Sequence, residues 1–300
     1  MTDYRGFLRG LCSGILLLGL SMTARAEMDV IRLQGADPAK GAIPDFKITV
    51  LDEAMKRTVK KYGPYRYESV TVALSRDRIL EEMQQGEIIN AGMIASQPLW
   101  EEKLIAVRIP IDMGISGMRI SLIREDAQER LAAVRSIDEL KKLRLGVVSG
   151  WSFRKVVEAD GFKIVTADTY DAQLKMLTQD RFDYFPRSLS EAYSEYDSKH
   201  ADVPGLAVEK TILINLPLPT YVFVSPKTPR LAARIEEGLE SMVKDGTLRK
   251  LMLKFNADII KRADLCNRRV FEIENPLLTT QTPLARKELW FDPYDPKTGI

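Results

Sequence analysis

Two hydrophobic periods take turns along this chain. Val30 to Leu33 reads as a first strand. From Ile48 to Lys61, Leu51, Met55 and Val59 recur at helical spacing until Gly63-Pro64 stops the pattern. Tyr67 to Leu74 alternates as a strand. Asp77 to Gln85 returns to the helical period with Ile79, Leu80 and Met83, and Gly86 is its C-terminal cap. Ile88 to Ile94 is the next strand, Pro98-Leu-Trp-Glu a short helical or irregular piece, and Leu104 to Ile109 a strand again. Such alternation predicts an α/β sheet.

The run from Ile115 to Ile123 is broken by Gly117 and preceded by Gly114, which marks a place where the chain bends between blocks. A second α/β block follows. Ser136-Ile-Asp-Glu139 is a capping box that opens a helix to Leu143. Strands are predicted at Arg144–Val148, Lys163–Val165 and Phe182–Phe185, with helices at Tyr170–Gln179 and Leu189–Tyr196. Ile212-Leu-Ile214 begins a return, and Asn215-Leu-Pro-Leu-Pro is a second crossing. Tyr221 to Ser225 is then a strand, and Pro229 to Lys244 an amphipathic helix with Leu231, Ile235, Leu239 and Met242 on one face. Leu248 to Phe255 continues as a shorter helix. The tail from Asn275 carries prolines and little periodicity, and is expected to wrap the surface. Block one is thus interrupted by block two, which predicts two α/β lobes joined by a two-strand hinge with a cleft between them.

The N-terminus changes the reading of the charge. Arg5 and Arg9, the apolar run Leu11–Met22 and Ala24-Arg-Ala26 form a secretory signal peptide, with Glu27 as the first mature residue. The apolar run is too short to span a bilayer. The chain has 44 basic and 42 acidic residues, and removal of Arg5, Arg9, Arg25 and Asp3 brings the two to equality. A neutral mature chain argues against nucleic acid or an anionic membrane as partner. Cys266 is the one mature cysteine, expected as a small buried hydrophobe, and His200 the one histidine, expected in a solvated loop. That inventory argues against zinc, copper or haem sites and against a Ser-His-Asp nucleophile; no cofactor and no metal is expected.

Two strand ends carry the candidate chemistry, because ligands of open α/β sheets sit where strands end and helices begin. Ser149, Gly150, Trp151 and Ser152 form a strand-to-helix turn that can offer backbone N–H groups to an anion; the plain alternative is an ordinary turn with Ser149 or Ser152 as N-cap. Trp151 can stack on a ligand or plug the lobe. Arg187 ends an apolar strand and is expected in the cleft, against the alternative of a salt bridge to Glu191. Arg119 lies just past the glycines and can face the cleft or the surrounding water.

The order and spacing of several runs resemble the periplasmic solute-binding proteins of family 3, cleft-closing receptors of ABC transporters, typically for polar amino acids. The runs are Arg78-Ile-Leu-Glu-Glu-Met-Gln-Gln-Gly86, Ser136-Ile-Asp-Glu-Leu-Lys-Lys-Leu-Arg-Leu-Gly-Val-Val-Ser-Gly150, Leu177-Thr-Gln-Asp-Arg-Phe-Asp183 and Leu239-Glu-Ser-Met-Val-Lys-Asp-Gly-Thr-Leu248. The resemblance spans most of residues 28–256. Asn275-Pro276 and Trp290-Phe-Asp-Pro293 are similar to a divergent branch whose ligand is unassigned. The resemblance implies the two-lobed periplasmic binding protein fold of type II. It places the signal peptide at 1–26, lobe 1 at 27–116 and 217–274, lobe 2 at 117–216, and a surface extension at 275–300. It implies a monomeric, non-enzymatic periplasmic receptor, partnered by its solute and by a membrane permease or a sensor.

Two departures bear on the ligand. The family's Thr-x-x-Arg, whose arginine clamps the ligand carboxylate, is replaced by Ala95-Ser-Gln-Pro-Leu-Trp-Glu-Glu, with Trp100 near the arginine's position. The aspartate that takes the ligand ammonium is replaced by Arg187-Ser188. A guanidinium prefers carboxylate or phosphate, so the expected ligand is a small polar or anionic solute, amino-acid-like or a carboxylate, captured for transport or sensing, with an anionic molecule favoured over an ordinary α-amino acid. The alternatives are a periplasmic lyase or dehydratase on the same fold, with Glu101 or Glu102 as acid or base, and a ligand-responsive partner of a membrane sensor.

Overall fold

The computed structural model describes residues 28–35, 45–72 and 74–294. The signal peptide read at 1–26 lies outside them. The chain opens with β1 (Asp29–Gln34), α1 (Phe46–Arg57), the short α2 (Val59–Tyr62) and β2 (Tyr65–Val70). It continues with α3 (Arg76–Gln85), β3 (Ala91–Ala95), α4 (Pro98–Lys103) and β4 (Ile105–Val107). Helix starts follow their caps. Asp45 accepts from the Ile48 N–H and Ser75 from the Arg78 N–H, which satisfies donors that a first turn leaves open. Gly86 ends α3 at φ 72, in the left-handed region where a side chain is strained.

Next come β5 (Met118–Arg124), α5 (Gln128–Ala132), α6 (Ile137–Lys142), β6 (Arg144–Val148), α7 (Ser152–Ala159) and β7 (Lys163–Ala167). α8 (Tyr170–Thr178), β8 (Phe185–Ser188), α9 (Leu189–Lys199), β9 (Leu206–Val208) and β10 (Ile212–Asn215) follow. The chain then returns through β11 (Thr220–Val224), α10 (Pro229–Lys244), α11 (Thr247–Ala263) and β12 (Arg269–Glu272).

Strand pairing sorts these elements into two α/β lobes. In one, β11 lies between β3 and β4 and is antiparallel to both, while β1 pairs parallel with β2. The buried Asn90 side chain ties the two pieces together, accepting from the Arg32 N–H at 2.7 Å and donating to the Val30 carbonyl at 2.7 Å. In the other, β5 pairs with β8, β9 and β10, and β12 joins β10; β6 and β7 form a parallel pair. The two strands at the crossings, β5 and β10, are hydrogen-bonded to each other, with Arg119 opposite Ile214. Gly117 is required there, because a Cβ on it would lie 1.9 Å from the Leu216 carbonyl oxygen. The crossings touch backbone to backbone. One core gathers Ile31, Leu51, Met55, Val222, Ile235 and Leu239, another Leu145, Val147, Phe153, Val157 and Tyr184. Burying each such side chain contributes about 1.5–3 kcal/mol.

Several expectations shift. The strand read at Phe182–Phe185 lies at Phe185–Ser188, because pairing with β5 begins at Leu122–Phe185 and runs out to Arg119–Ser188. Only Tyr184 keeps a bridge to Leu145. The slip puts Arg187 and Ser188 inside a sheet. α11 runs to Ala263, well past Phe255. Cys266 is exposed rather than buried, since it sits on a short 3-10 turn after α11. His200 caps the end of α9, stacked on Tyr196 with its Nδ1 2.8 Å from the Tyr196 carbonyl. The tail does more than cover the surface: Leu289 and Phe291 are buried in the first core, and Trp290 lies against Gly114.

Candidate functional site

Between the lobes lies a cavity of about 360 Å³. One wall carries Lys47 and Arg76, each in the first turn of a helix that follows a strand, with Ile79, Met93, Ile94 and Ala95. The other carries Trp151, Ser152, Phe153, Arg187, Ser188 and Glu191. Arg119, Ser116, Leu218 and Thr220, from the crossing segments, close the floor.

Arg119 is 7% exposed, yet it lacks the partners a buried cation needs. Its Nη1 donates to the Pro186 carbonyl at 3.4 Å, its Nε has no hydrogen-bond acceptor among the described residues, and its guanidinium lies 4.1 Å from the Phe153 ring centroid. Burial, with Arg187 nearby, pulls this guanidinium down from its ordinary value to about 10, against the opposing pull of Glu191 and Glu195. Two other buried arginines show the contrast. Arg234 reaches Asp29, Thr58 Oγ1 and the Gly63 carbonyl. Arg268 reaches the carbonyls of Ala263, Glu209 and Ile212. Both have their Nε bonded to a described residue, and Arg119 does not.

Arg187 is buried and largely engaged. Its Nε donates to both Glu195 oxygens, at 2.8 and 3.0 Å, and its Nη2 also bonds Glu195. Glu191 Oε2 lies 3.4 Å from the same Nη2. The Trp151 ring supports the guanidinium from 4.0 Å and itself stacks on Phe185. Arg187 is thus a cation fixed by aromatic and carboxylate groups, and its Nη1 makes no hydrogen bond to a described residue. Burial alone would raise the Glu191 carboxyl, but Arg187, Arg119 and the Ser188 hydrogen bonds outweigh it and hold the carboxyl below its usual range. Ser188 is the N-cap of α9, in a reciprocal capping box with Glu191.

Ser152 joins the two walls. Its Oγ accepts from Arg76 Nη1 at 3.0 Å and from Gln97 Nε2 at 2.6 Å, both from the opposite lobe. Because Ser152 and Phe153 begin α7, their N–H groups have no acceptor within the helix.

Of the residues expected at the site, Arg119, Trp151, Ser152, Arg187 and Ser188 meet at one cavity. Ser149, Gly150 and Trp100 do not line it. Ser149 turns to the sheet edge, with its N–H and Oγ on the Ala167 carbonyl. Gly150 faces open space, and the Trp151 N–H is taken by the Val148 carbonyl. The expected ring of main-chain donors thus shrinks to the first residues of α7. Trp100 is 4% exposed and packs edge-on against Phe223 in a separate apolar cluster. Neither carboxylate considered for acid–base chemistry reaches the cavity. Glu101 is held by Arg108 and Thr279, and Glu102 pairs with Lys103 at the surface. Lys47, Arg76 and Gln97 were not singled out by the sequence reading. Their signal was positional: Lys47 and Arg76 start helices after strands of the first block, the same kind of strand end that drew notice to the second.

No group of three or more His, Cys, Asp or Glu side chains is placed to hold a metal among the described residues. No helix among them is long and apolar enough to cross a membrane.

No family model and no curated protein matches the sequence. Solved structures do. An ancestral arginine-binding protein bound to arginine is 20% identical, with 75% of this chain and 97% of that chain covered and a TM-score of 0.51. A probable amino-acid ABC transporter extracellular-binding protein from Bacillus subtilis is 16% identical, over 76% of this chain and 98% of that one, with a TM-score of 0.53. An arginine-, lysine- and histidine-binding protein from Geobacillus stearothermophilus is 17% identical, over 76% and 94%, with a TM-score of 0.50. The chain therefore has the two-lobed α/β fold of amino-acid ABC transporter substrate-binding proteins. It spans nearly the whole of these neighbours, and about a quarter of it lies outside the matched part.

Proposed function

We propose that this protein is a periplasmic solute-binding receptor that captures a small anionic solute, a carboxylate, between its lobes and delivers it to a membrane permease. The observation that carries this reading is Arg119: a buried cation at the cavity floor with, among the described residues, no acceptor for its Nε and no hydrogen-bonded carboxylate. A guanidinium in that state gains most from a carboxylate that completes its hydrogen bonds. The surrounding wall agrees, since Lys47, Arg76 and Arg187 also face the cavity and, among the described residues, Glu191 is the one carboxylate that lines it. The fold supports capture without chemistry, and the leader read at residues 1–26 supports export to the periplasm.

Isothermal titration calorimetry of the mature protein, with carboxylates, neutral amino acids and arginine at low ionic strength, tests the reading. Carboxylates are expected to bind, to weaken as salt is added, and to lose affinity in Arg119→Ala; arginine is expected to be rejected. Arginine binding as tightly as any anion, or anion binding indifferent to Arg119→Ala and Arg119→Lys, overturns it.

A further inference from the structure

The charges of this cavity do not balance, and the imbalance is distributed. Lys47 and Arg76 stand on one wall, and neither has a carboxylate partner among the described residues. Arg119 and Arg187 stand on the floor and the other wall, with Glu191 beside them and Glu195 bound to Arg187. Counted together, these groups carry two more positive charges than negative ones. Facing walls that are both cationic repel as they approach, and the repulsion grows as water leaves the gap. Between the cations the lining is apolar: Ile79, Met93, Ile94, Ala95 and Leu218 offer no side-chain hydrogen bond.

We infer that the cleft takes a dicarboxylate, with one carboxylate on Arg119 and the second between Lys47 and Arg76, joined by a short hydrocarbon spacer along the apolar lining. The inference rests on the anion-binding reading above and narrows it. Separated cations on facing walls match two separated anionic groups better than one compact dianion such as phosphate. Each carboxylate cancels the surplus on its own side, so the ligand turns a repulsive closure into an attractive one. A monocarboxylate satisfies Arg119 and leaves the opposite wall charged.

The test is calorimetry at low salt with dicarboxylates of three to six carbons, each against the monocarboxylate of equal carbon number, and with inorganic phosphate. At least one dicarboxylate is expected to bind tenfold or more tightly than its matched monocarboxylate. Lys47→Met and Arg76→Met are each expected to erase most of that advantage, weakening dicarboxylate binding by a larger factor than monocarboxylate binding. Lys47 makes no hydrogen bond to a described residue, so its substitution leaves the fold intact, which circular dichroism checks. Equal binding of the matched pairs overturns the dicarboxylate and leaves the anion receptor standing. Phosphate binding tighter than every dicarboxylate overturns the two-group geometry alone. Failure of every anion to bind overturns both.

Discussion

Arg119→Met separates a binding residue from a structural one, because the two roles predict opposite stability changes. Holding this guanidinium in the fold lowers it from its ordinary value to about 10, a cost of ~3 kcal/mol at about 1.4 kcal/mol per tenfold. The folded value lies below the unfolded one, so the cost is constant below pH 10, fades as pH rises above it, and is fully present at neutral pH. Methionine keeps the apolar stem and removes the charge. It forfeits the contact with Phe153, about 1–2 kcal/mol in a desolvated setting. The ligand-free variant should therefore be more stable by ~1–2 kcal/mol, a rise of a few °C in melting temperature by differential scanning calorimetry. The same change removes charge-assisted hydrogen bonds of about 1.5–3 kcal/mol to a bound carboxylate, so affinity should fall roughly 10- to 100-fold. Ligand should then no longer raise the melting temperature as it does for the unaltered protein. A variant that is destabilised and binds unchanged would refute the assignment and make Arg119 a structural cation.

Three further changes probe the surroundings. Glu195→Ala strands the buried Arg187 guanidinium, and urea denaturation should show a loss of ~3–5 kcal/mol. Ser152→Ala removes the acceptor shared by Arg76 and Gln97; the lobes should part more readily, by about 1 kcal/mol, and small-angle scattering without ligand should show a larger radius of gyration. Acid should act through Asp183 and Glu191. For Asp183, burial opposes ionisation, but bonds from Arg144 and the charge of Arg130 outweigh it; both carboxyls lie below their ordinary values. Their contribution is present above those ordinary values, 3.8 and 4.5, and is lost as pH falls below them, so Asp183→Asn should flatten the acid limb of the stability curve.

The lobes were legible because their elements are local. Asp45, Ser75, Ser136 and Ser188 cap helices that the apolar spacing already marks, and Gly86 and Gly246 end them in the left-handed region. Strand limits were less legible, since pairing decides them. Nothing within residues 181–188 shows that β5 draws in Arg187 and Ser188 rather than Phe182 and Asp183. The site divides in the same way. Arg187 stood out as a cation after an apolar run, but its pairing with Glu195, a turn and more along α9, depends on how the helix leaves the sheet. Arg76 and Gln97 owe their place to the docking of lobe against lobe, for which no short-range pattern exists. Trp100 shows the converse: the aligned position pointed to the cleft, while the size of its ring suits the cluster around Phe223.

The tail touches both crossings. Asn275 Nδ2 donates to the Pro217 carbonyl at 2.9 Å, the Phe291 N–H donates to the Met113 carbonyl at 2.8 Å, and Trp290 covers Gly114. Any reorientation of one lobe against the other would have to bend or slide this brace, and its stiffness would then add to the energetics of closure.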